Sequence, residues 1–386
     1  MTLTRRGLLS AAACCVLPLN VIDRVAFAAS PGDNRIVIIL LRGAMDGLHL
    51  LQPYGDREFA RLRPGLSIAP GSAQLAVLDD RFALYSPDGG DGIYQLWNSG
   101  ELSFVQAVST PYRDGRSHFD GQDILETGGR IAGELRDGWL PRILSLIPGA
   151  RVESALTLSA GAMLLGRGKP SAPNWWPGSS LSKDAYLMDQ LQALYRNDEG
   201  FSLAAAEAVR LSGGGIGSGS SINRIEQVLA RTAAEMLNQD VRVAAFSIGG
   251  WDTHNSQAKS MYWPVMGLGY ALTELKQNLG KNWDSTAVLC VTEFGRAAHE
   301  NGVGGTDHGT GGLAILSGGA IRSGEIFGDW PGLGESDLLG GRDLRPTADV
   351  RNYIALLFHQ LMGAPLSGIE RDVFPGLSID VSTTLV

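Results

Sequence analysis

The sequence contains little cysteine, and this excludes a fold held together by disulfides. Of three cysteines, Cys14 and Cys15 stand close to the first residue, and only Cys290 occurs later. If the leading segment is removed, no internal disulfide can form, even in an oxidising compartment. Cys290 lies in the apolar stretch 287–291 and is predicted to be a small buried hydrophobic residue.

The sequence also lacks an excess of positive charge and any long apolar run. Its net charge is −8, and removing residues 1–28, with three arginines and one aspartate, makes it −10. Such an acidic chain is not expected to bind nucleic acid through bulk charge. A membrane-spanning helix needs about 20 apolar residues, and no run reaches that length. We therefore expect neither a nucleic-acid partner nor an integral membrane protein.

The first 28 residues have the pattern of a twin-arginine export signal. Arg5 and Arg6 precede an apolar run at 7–19, and Ala26-Phe27-Ala28 offers a small-x-small cleavage pattern. An amphipathic first helix is the alternative interpretation. The order of these features predicts a removable signal, the twin-arginine translocation machinery as a partner, and a periplasmic or secreted product. Proteins exported this way often fold around a cofactor before they cross.

The remainder alternates short β-branched runs with helical periodicity, which predicts an α/β fold with a mostly parallel central sheet flanked by helices. Strands are predicted at 35–41, 102–108, 155–158, 241–248, 286–292 and 313–316. Helices are predicted at 92–98, after 117, and at 185–195, 203–211, 222–237, 262–279 and 349–361. A glycine- and serine-rich stretch at 212–221 predicts a flexible link that closes a helical insertion at about 160–220. The domain itself is predicted to run from 29 to 386.

Polar residues follow four of the predicted strands directly, and a fifth group precedes the last one. In open parallel sheets, ligands bind at the carboxyl ends of the strands, so these groups are expected to meet. They are Asp46, Ser117 with His118, Asp252 with His254, Glu293, and Asp307 with His308.

Three of these groups suit a metal ion. Asp252 and His254 stand two residues apart in a glycine-rich turn, so both can face one cation, although Asp252 could instead cap a helix. Asp307 and His308 repeat the donor pair in a loop with five glycines. Glu293, at the end of a buried strand, would be an unpaired charge unless a cation or an arginine such as Arg296 meets it.

Ser117 is the candidate reacting group. Its position before an apolar-spaced stretch predicts an N-cap, which could be its whole role. A hydroxyl at a helix N-terminus, with Arg113 and Arg116 just before it, also suits the binding of an anion. Serine needs a base or a metal to become a nucleophile, and a nearby metal would supply that activation. No Gly-x-Ser-x-Gly motif surrounds Ser117, which argues against an α/β-hydrolase triad.

Several longer motifs closely resemble the family called domain of unknown function 1501, whose members often carry twin-arginine signals. The motifs are the segments 41–47 (LRGAMDG), 116–120 (RSHFD), 249–254 (GGWDTH), 292–296 (TEFGR), 305–312 (GTDHGTGG), 328–332 (GDWPG) and 342–344 (RDL). That family in turn is similar to a distant branch of the alkaline phosphatase superfamily, which includes sulfatases and cofactor-independent phosphoglycerate mutases. The resemblance implies an alkaline-phosphatase-like fold with two metal ions at its active site.

Carried over by motif, the resemblance implies a role for each candidate residue. Asp46 matches the aspartate after the first strand and is an implied metal ligand, and Ser117 matches the nucleophile. The implied metal ligands are Asp252, His254, Glu293 and His308, with Asp307 as a further candidate. The chain departs from the superfamily in its Asp-to-His spacing of two and in having Phe294 after Glu293. No cysteine lies near Ser117, which excludes the formylglycine nucleophile of type I sulfatases.

The sequence thus predicts an exported hydrolase or transferase that acts on a phosphate or sulfate ester with one or two divalent metal ions. The sequence does not distinguish between zinc, calcium, manganese and magnesium. The expected catalytic residues are Ser117, Arg113, Arg116 and His118. The alternative is a non-catalytic, metal-stabilised protein of cell-surface or periplasmic assembly. A metal-independent Ser117–His118 hydrolase is disfavoured because adjacent side chains rarely point at each other.

Overall fold

The computed structural model describes residues 33–176, apart from 90 and 114, and residues 225–386. The predicted signal at 1–28, the link at 212–221 and the helices at 185–195 and 203–211 lie outside the described residues. Of the predicted insertion at about 160–220, residues 160–176 are described, and they contain a short 3₁₀ turn and one two-residue strand. In the described part of the chain, no helix has both the length and the apolar character needed to cross a membrane.

Fourteen strands are described, and nine of them form one central sheet. The strands are β1 (Arg35–Leu41), β2 (Leu51–Gln52), β3 (Leu75–Val77), β4 (Ala83–Tyr85), β5 (Leu102–Ser109), β6 (Ala155–Leu158), β7 (Asn174–Trp175), β8 (Val243–Ile248), β9 (Thr286–Val291), β10 (Arg296–Glu300), β11 (Thr306–His308), β12 (Gly312–Ser317), β13 (Ile326–Phe327) and β14 (Ala348–Asp349). The order across the large sheet is β13-β5-β12-β9-β1-β8-β6-β7, with β14 also paired to β5. Strands β2, β3 and β4 form a separate antiparallel sheet, and β10 pairs with β11.

The large sheet is mostly parallel, as predicted. Only β12 runs in the opposite direction, antiparallel to both β5 and β9, among the strands described. All residues of β1 are buried, because both faces of this central strand are covered. Ile36 and Ile38 point into the core on one side, and Val37 and Ile39 point into the core on the other.

Helices cover both faces of the sheet and give the molecule three layers. They are α1 (Gly47–Leu50), α2 (Arg57–Leu62), α3 (Gly92–Asn98), α4 (His118–Thr127), α5 (Trp139–Leu144), α6 (Ile225–Leu237), α7 (Gln257–Ser260), α8 (Tyr262–Leu279), α9 (Val350–Met362) and α10 (Leu366–Gly368). Helices α4, α5 and α9 pack on one face, and α3, α6 and α8 pack on the other. The predicted helices 92–98 and 262–279 are found at those bounds.

The reversed direction of β12 decides where the candidate residues meet. Parallel strands β1, β5, β8 and β9 all end at one edge of the sheet. Because β12 is antiparallel, its first residue lies at that same edge, with Gly312 opposite Val108 near the end of β5. The hairpin of β10 and β11, which connects β9 to β12, therefore also lies at this edge.

Cys290 is fully buried in β9, between Ile39 of β1 and Ile315 of β12. The prediction of a small buried hydrophobic residue is confirmed. Burial raises the pKa of its thiol well above the ordinary range.

Candidate metal centre

Four side chains from three separate segments come together at the carboxyl edge of the sheet. One ligand atom each from His118, Asp252 and His308 lies within 4.8 Å of the other two. Nε2 of His254 lies 3.0 Å from Nε2 of His308 and 3.0 Å from Oδ1 of Asp252. We refer to His118, Asp252, His254 and His308 as the His/Asp cluster.

His118 enters the cluster as the first residue of α4. Ser117 is the N-cap, and its Oγ accepts a hydrogen bond from the N–H of Asp120 at 3.5 Å. The ring of His118 stacks on Phe294, with the ring centroids 5.3 Å apart. Gly121 permits this approach, because a Cβ at that position would lie 2.7 Å from the Phe294 ring. The start of α4 is thereby held against the end of β9.

Glu293 sets the orientation of the His118 ring. Its Oε1 lies 2.8 Å from Nδ1 of His118 and also accepts the N–H of Gly43 at 2.9 Å. Burial opposes ionisation of Glu293, but the hydrogen bonds from His118 and its other donors outweigh burial and lower the pKa of the carboxyl group. The bond to Glu293 in turn raises the pKa of His118. When Nδ1 donates its proton to a carboxylate, the lone pair of the neutral ring lies on Nε2.

Nε2 of His118 points into the cluster and makes no hydrogen bond there. It is buried and has no hydrogen-bond partner among the described residues. It lies 3.4 Å from Oδ2 of Asp252. A carboxylate–histidine pair with the second ring nitrogen free is the arrangement that protein metal sites commonly use.

His308 has the same arrangement with a different acceptor. Its Nδ1 lies 2.8 Å from the carbonyl oxygen of Arg116, which can only accept, so Nδ1 carries the proton. Its Nε2 lies 3.2 Å from Oδ1 of Asp252. Burial lowers the pKa of His308, which favours the neutral ring. A lone pair on Nε2 would be repelled by this carboxylate, and either a second proton on the ring or a cation bound by both groups removes that repulsion.

The cluster therefore fits a divalent metal ion. Its donor atoms are imidazole nitrogens and one carboxylate, and two of its rings are already oriented by acceptors on Nδ1. Four donors of this kind match the coordination number of zinc and related transition metals. Calcium and magnesium prefer a shell of oxygen atoms and match it less well.

Asp46, a predicted ligand, lies beneath the cluster and is fully buried. Its Oδ2 accepts from Arg63 Nη1 at 2.7 Å, from Gln257 Nε2 at 2.6 Å and from Thr306 Oγ1 at 3.1 Å. Its Oδ1 caps α1 through the N–H of His49. Because both oxygens are held by protein donors, we leave Asp46 out of the ligand set proposed below.

The structure also places Glu293 and Asp307 outside the cluster. Glu293 contacts His118 instead of the centre of the cluster. Asp307 is exposed, 3.3 Å from Nδ2 of Asn301 and 3.9 Å from Arg342. Of the six predicted ligands, the structure thus brings together Asp252, His254 and His308, and it adds His118.

The predicted catalytic residues lie around the start of α4. Nη1 of Arg113 donates to the carbonyls of Thr110 and Tyr112, at 2.6 Å and 2.7 Å. Arg116 has a half-exposed side chain, and its main chain has a φ of 49° where it meets His308. Ser117 donates its N–H to the hydroxyl of Tyr112 at 2.8 Å. The two ring nitrogens of His118 face Glu293 and Asp252, which is consistent with the expectation that Ser117 and His118 do not form a catalytic dyad.

Sequence reasoning missed two arginines near the site, of which Arg342 contacts a member of the cluster and Arg63 does not. Arg342 donates to the carbonyl of His308 at 2.9 Å and to Oδ1 of Asp343 at 2.6 Å. Arg63 neutralises Asp46 from a position 17 residues later in the chain. The segment 342–344 carries part of the family resemblance, and this is the sequence signal for Arg342.

Two glycines of the hairpin permit the close approach that the cluster needs. A Cβ on Gly305 would lie 2.2 Å from the main chain of His254, and one on Gly309 would lie 2.3 Å from the main chain of Arg296. Real Cβ atoms essentially never come so close. Gly305 and Gly309 therefore let two backbones touch, whereas Gly304 of the same loop has a φ of 70° and no close neighbour.

Comparison with known proteins gives one family and several partial structural likenesses. The model of the family described as "Protein of unknown function (DUF1501)" matches residues 116–356, which is more than half of the chain. No curated protein matches the sequence.

The solved structures similar to this chain include a protein called Ps i-CgsB, a sulfatase and a member of the alkaline phosphatase superfamily. Ps i-CgsB in complex with k-i-k-neocarrahexaose is 13% identical, with 86% of this chain and 72% of that one covered and a TM-score of 0.42. The PsFucS1 sulfatase from Pseudoalteromonas sp. is 14% identical, with 76% and 64% covered and a TM-score of 0.31. A protein in the alkaline phosphatase superfamily from Vibrio parahaemolyticus is 11% identical, with 98% and 80% covered and a TM-score of 0.38.

The contact between Glu293 and His118 predicts a measurable pKa. In metal-free protein, NMR titration of the ring protons should give His118 a pKa above the ordinary value of about 6.5. Protonated His118 should then stabilise the metal-free fold below its unfolded pKa, and this contribution should be lost as the pH rises through its folded pKa. Glu293→Gln should lower the pKa of His118, because burial remains while the carboxylate is lost.

Glu126→Gln is the matched control for this titration. Glu126 is another buried carboxylate, on the same helix as His118, and it pairs with Arg42 instead of a histidine. Glu126→Gln should leave the pKa of His118 unchanged. An unchanged pKa in Glu293→Gln would contradict the assigned contact.

Proposed function

The chain belongs to the DUF1501 family of proteins of unknown function, and from this premise we propose that it is an exported, metal-dependent hydrolase or transferase of phosphate or sulfate esters. The observation that carries the proposal is the His/Asp cluster beside a serine at a helix N-terminus. The motif resemblance to the alkaline phosphatase superfamily supports the same chemistry.

We propose that Nε2 of His118, His254 and His308 and the carboxylate of Asp252 hold one divalent ion, with zinc or a similar transition metal preferred. When bound, such an ion supplies Lewis acidity, which stabilises negative charge and favours ionisation of a nearby hydroxyl group. Glu293 holds His118 in the required tautomer, and the carbonyl of Arg116 does the same for His308. The protein thus presents two ring nitrogens, those of His118 and His308, as acceptors without needing to reorganise.

Ser117 is the proposed nucleophile. Its hydroxyl stands at the N-terminus of the ten-residue helix α4, where N–H groups and the helix dipole favour an anion. Ser117 Oγ forms a bond to phosphorus or sulfur while the bond to the ester oxygen breaks and the alcohol leaves. Water then releases the phosphate or sulfate from serine, or a second alcohol accepts it in the transferase case.

The arginines next to Ser117 have different proposed roles. Arg116 has a half-exposed guanidinium group and is proposed to hold the nonbridging oxygens of the substrate. Arg113 uses Nη1 to hold the carbonyls after β5, so we propose that it also fixes the turn that carries Ser117. Both roles place positive charge where an anionic ester would bind.

A second candidate function is a non-catalytic, metal-stabilised protein of the periplasm or cell surface. The N-cap role of Ser117 favours this alternative, because a cap needs no chemistry. Both candidates require the His/Asp cluster, and only the enzyme requires a reactive serine. The predictions on the metal and on Ser117 therefore separate the two.

The first of these predictions concerns the metal. Asp252→Ala combined with His308→Ala should abolish bound metal in protein exported through its own signal, measured by elemental analysis. The variant should also lose the rise in melting temperature that metal gives the unaltered chain, because binding stabilises only the folded state. His299→Ala is the control, since His299 is exposed on the same hairpin. Equal metal content in all three proteins would argue against a metal site here.

The second concerns Ser117. Ser117→Ala should retain metal but lose turnover of phosphate or sulfate esters, because no covalent intermediate can form. If Ser117 is only a cap, the change should cost about 0.5–2 kcal/mol of stability and leave activity intact. Ser117→Gly should recover most of that stability, because glycine is an acceptable N-cap. Full ester turnover by a stable Ser117→Gly protein would remove serine from the mechanism.

Export is proposed from the sequence of residues 1–28, with the twin-arginine translocation machinery as partner and the periplasm or the exterior as destination. Replacing Arg5 and Arg6 with lysine should leave full-length precursor in the cytoplasm, because the receptor reads the arginine pair and not only its charge. Cell fractionation with immunoblotting measures this. Normal export of the lysine variant would contradict the proposal.

A further inference from the structure

A buried arginine connects the loops that carry the metal ligands. The side chain of Arg296, at the start of β10, is completely buried. Nε donates to the carbonyl of Ala44 at 2.7 Å, and Nη1 donates to the carbonyl of Thr306 at 2.8 Å. Nη2 faces the carbonyls of Gly43 and Trp251 at 2.8 Å and 3.0 Å. One guanidinium group thereby joins the loop after β1, the loop after β8 and the hairpin.

The same guanidinium group holds the carboxylate of the cluster. Nη2 of Arg296 donates to Oδ1 of Asp252 at 2.7 Å. The side chain of Asp252 is 44% exposed, so without this donor it could rotate toward solvent. With the donor in place, Oδ1 lies beside Nε2 of His254 and His308, and Oδ2 faces His118.

We propose that Arg296 is a positioning residue that sets the affinity of the His/Asp cluster for its metal, an inference that rests on the proposed function. It acts through Asp252, whose carboxylate it directs to the centre of the cluster. It also links the two segments that carry His254 and His308, because it binds the carbonyls of Trp251 and Thr306. Lysine cannot replace it, since the three N–H donors on one ammonium nitrogen cannot reach the five acceptors that surround the guanidinium group.

Arg63 provides a matched control within the chain. It is also a completely buried arginine, and it also pairs with an aspartate, Asp46, at 2.7 Å. It also donates to two main-chain carbonyls, those of Ala297 and Ala298. Its described contacts include no member of the His/Asp cluster. The two arginines thus share burial and pairing and differ in whether they touch a proposed ligand.

The experiment compares zinc binding by the unaltered chain, Arg296→Lys and Arg63→Lys. Affinity is measured by competition with a chromophoric chelator, at a temperature where circular dichroism shows each protein to be folded. Cobalt absorption spectra report the ligand geometry of the same site. Arg296→Lys should bind zinc about 10–100-fold more weakly and change the cobalt spectrum, because loss of a residue that orients a ligand has effects of this size. Arg63→Lys should lower the melting temperature and leave zinc affinity unchanged.

A second measurement removes the effect of stability itself. The rise in melting temperature on adding zinc, relative to each protein's own metal-free value, should be smaller in Arg296→Lys and normal in Arg63→Lys. If Arg296→Lys does not fold, Arg296→Gln takes its place in the same comparison.

Four outcomes would count against this role. Equal zinc affinity in the unaltered chain and the Arg296 variants would overturn the positioning role alone. An equal loss of affinity in Arg63→Lys would assign the effect to general destabilisation. Failure of both Arg296 variants to fold, while Arg63→Lys folds, would make Arg296 a residue of the fold instead of the site. No zinc binding by the unaltered chain would overturn the proposed function as well.

Discussion

The buried ion pair between Asp46 and Arg63 is the interaction on which the loop after the central strand depends. Asp46 follows the central strand directly, and its carboxylate also accepts from Gln257 and Thr306, so four segments of the chain meet at one charge. Both side chains are fully buried, and a buried charge without its partner is strongly destabilising. Thr306 begins the strand that ends at His308. The pair therefore stabilises the packing of this loop against the hairpin of β10 and β11, whereas the contact with the cluster itself is made by Arg296.

Sequence patterns predicted six strands of the large sheet, the bounds of two helices and the edge where the polar residues gather. They could not predict the direction of β12, because a short apolar run looks the same whichever way the strand points. The antiparallel direction is what brings Asp307 and His308, which precede this strand, to the edge where the other strands end. Parallel strand direction alone places four of the five polar groups at this edge. The fifth group, Asp307 with His308, lies there only because β12 is antiparallel.

The sequence was less informative about which oxygen and nitrogen atoms face the centre. Asp307 and His308 are adjacent in β11, and adjacent strand residues point to opposite faces, so only one of them can join a cluster. Asp46 and Glu293 resemble ligands in sequence, but each is satisfied by a partner far away in the chain. A motif shows that a carboxylate is present, whereas the three-dimensional contact shows whether an arginine, a histidine or a cation compensates it.

The burial of Cys290 has a practical consequence for spectroscopy. Cys14 and Cys15 belong to the segment proposed to be removed on export, which leaves one thiol in the mature chain. That thiol is enclosed between two strands, and its raised pKa keeps it protonated and unreactive. A cysteine introduced on an exposed residue at the start of α4, such as Phe119, would be the only one that a spin label or fluorophore modifies. Distances from the helix that carries Ser117 could then be followed without first removing any native residue.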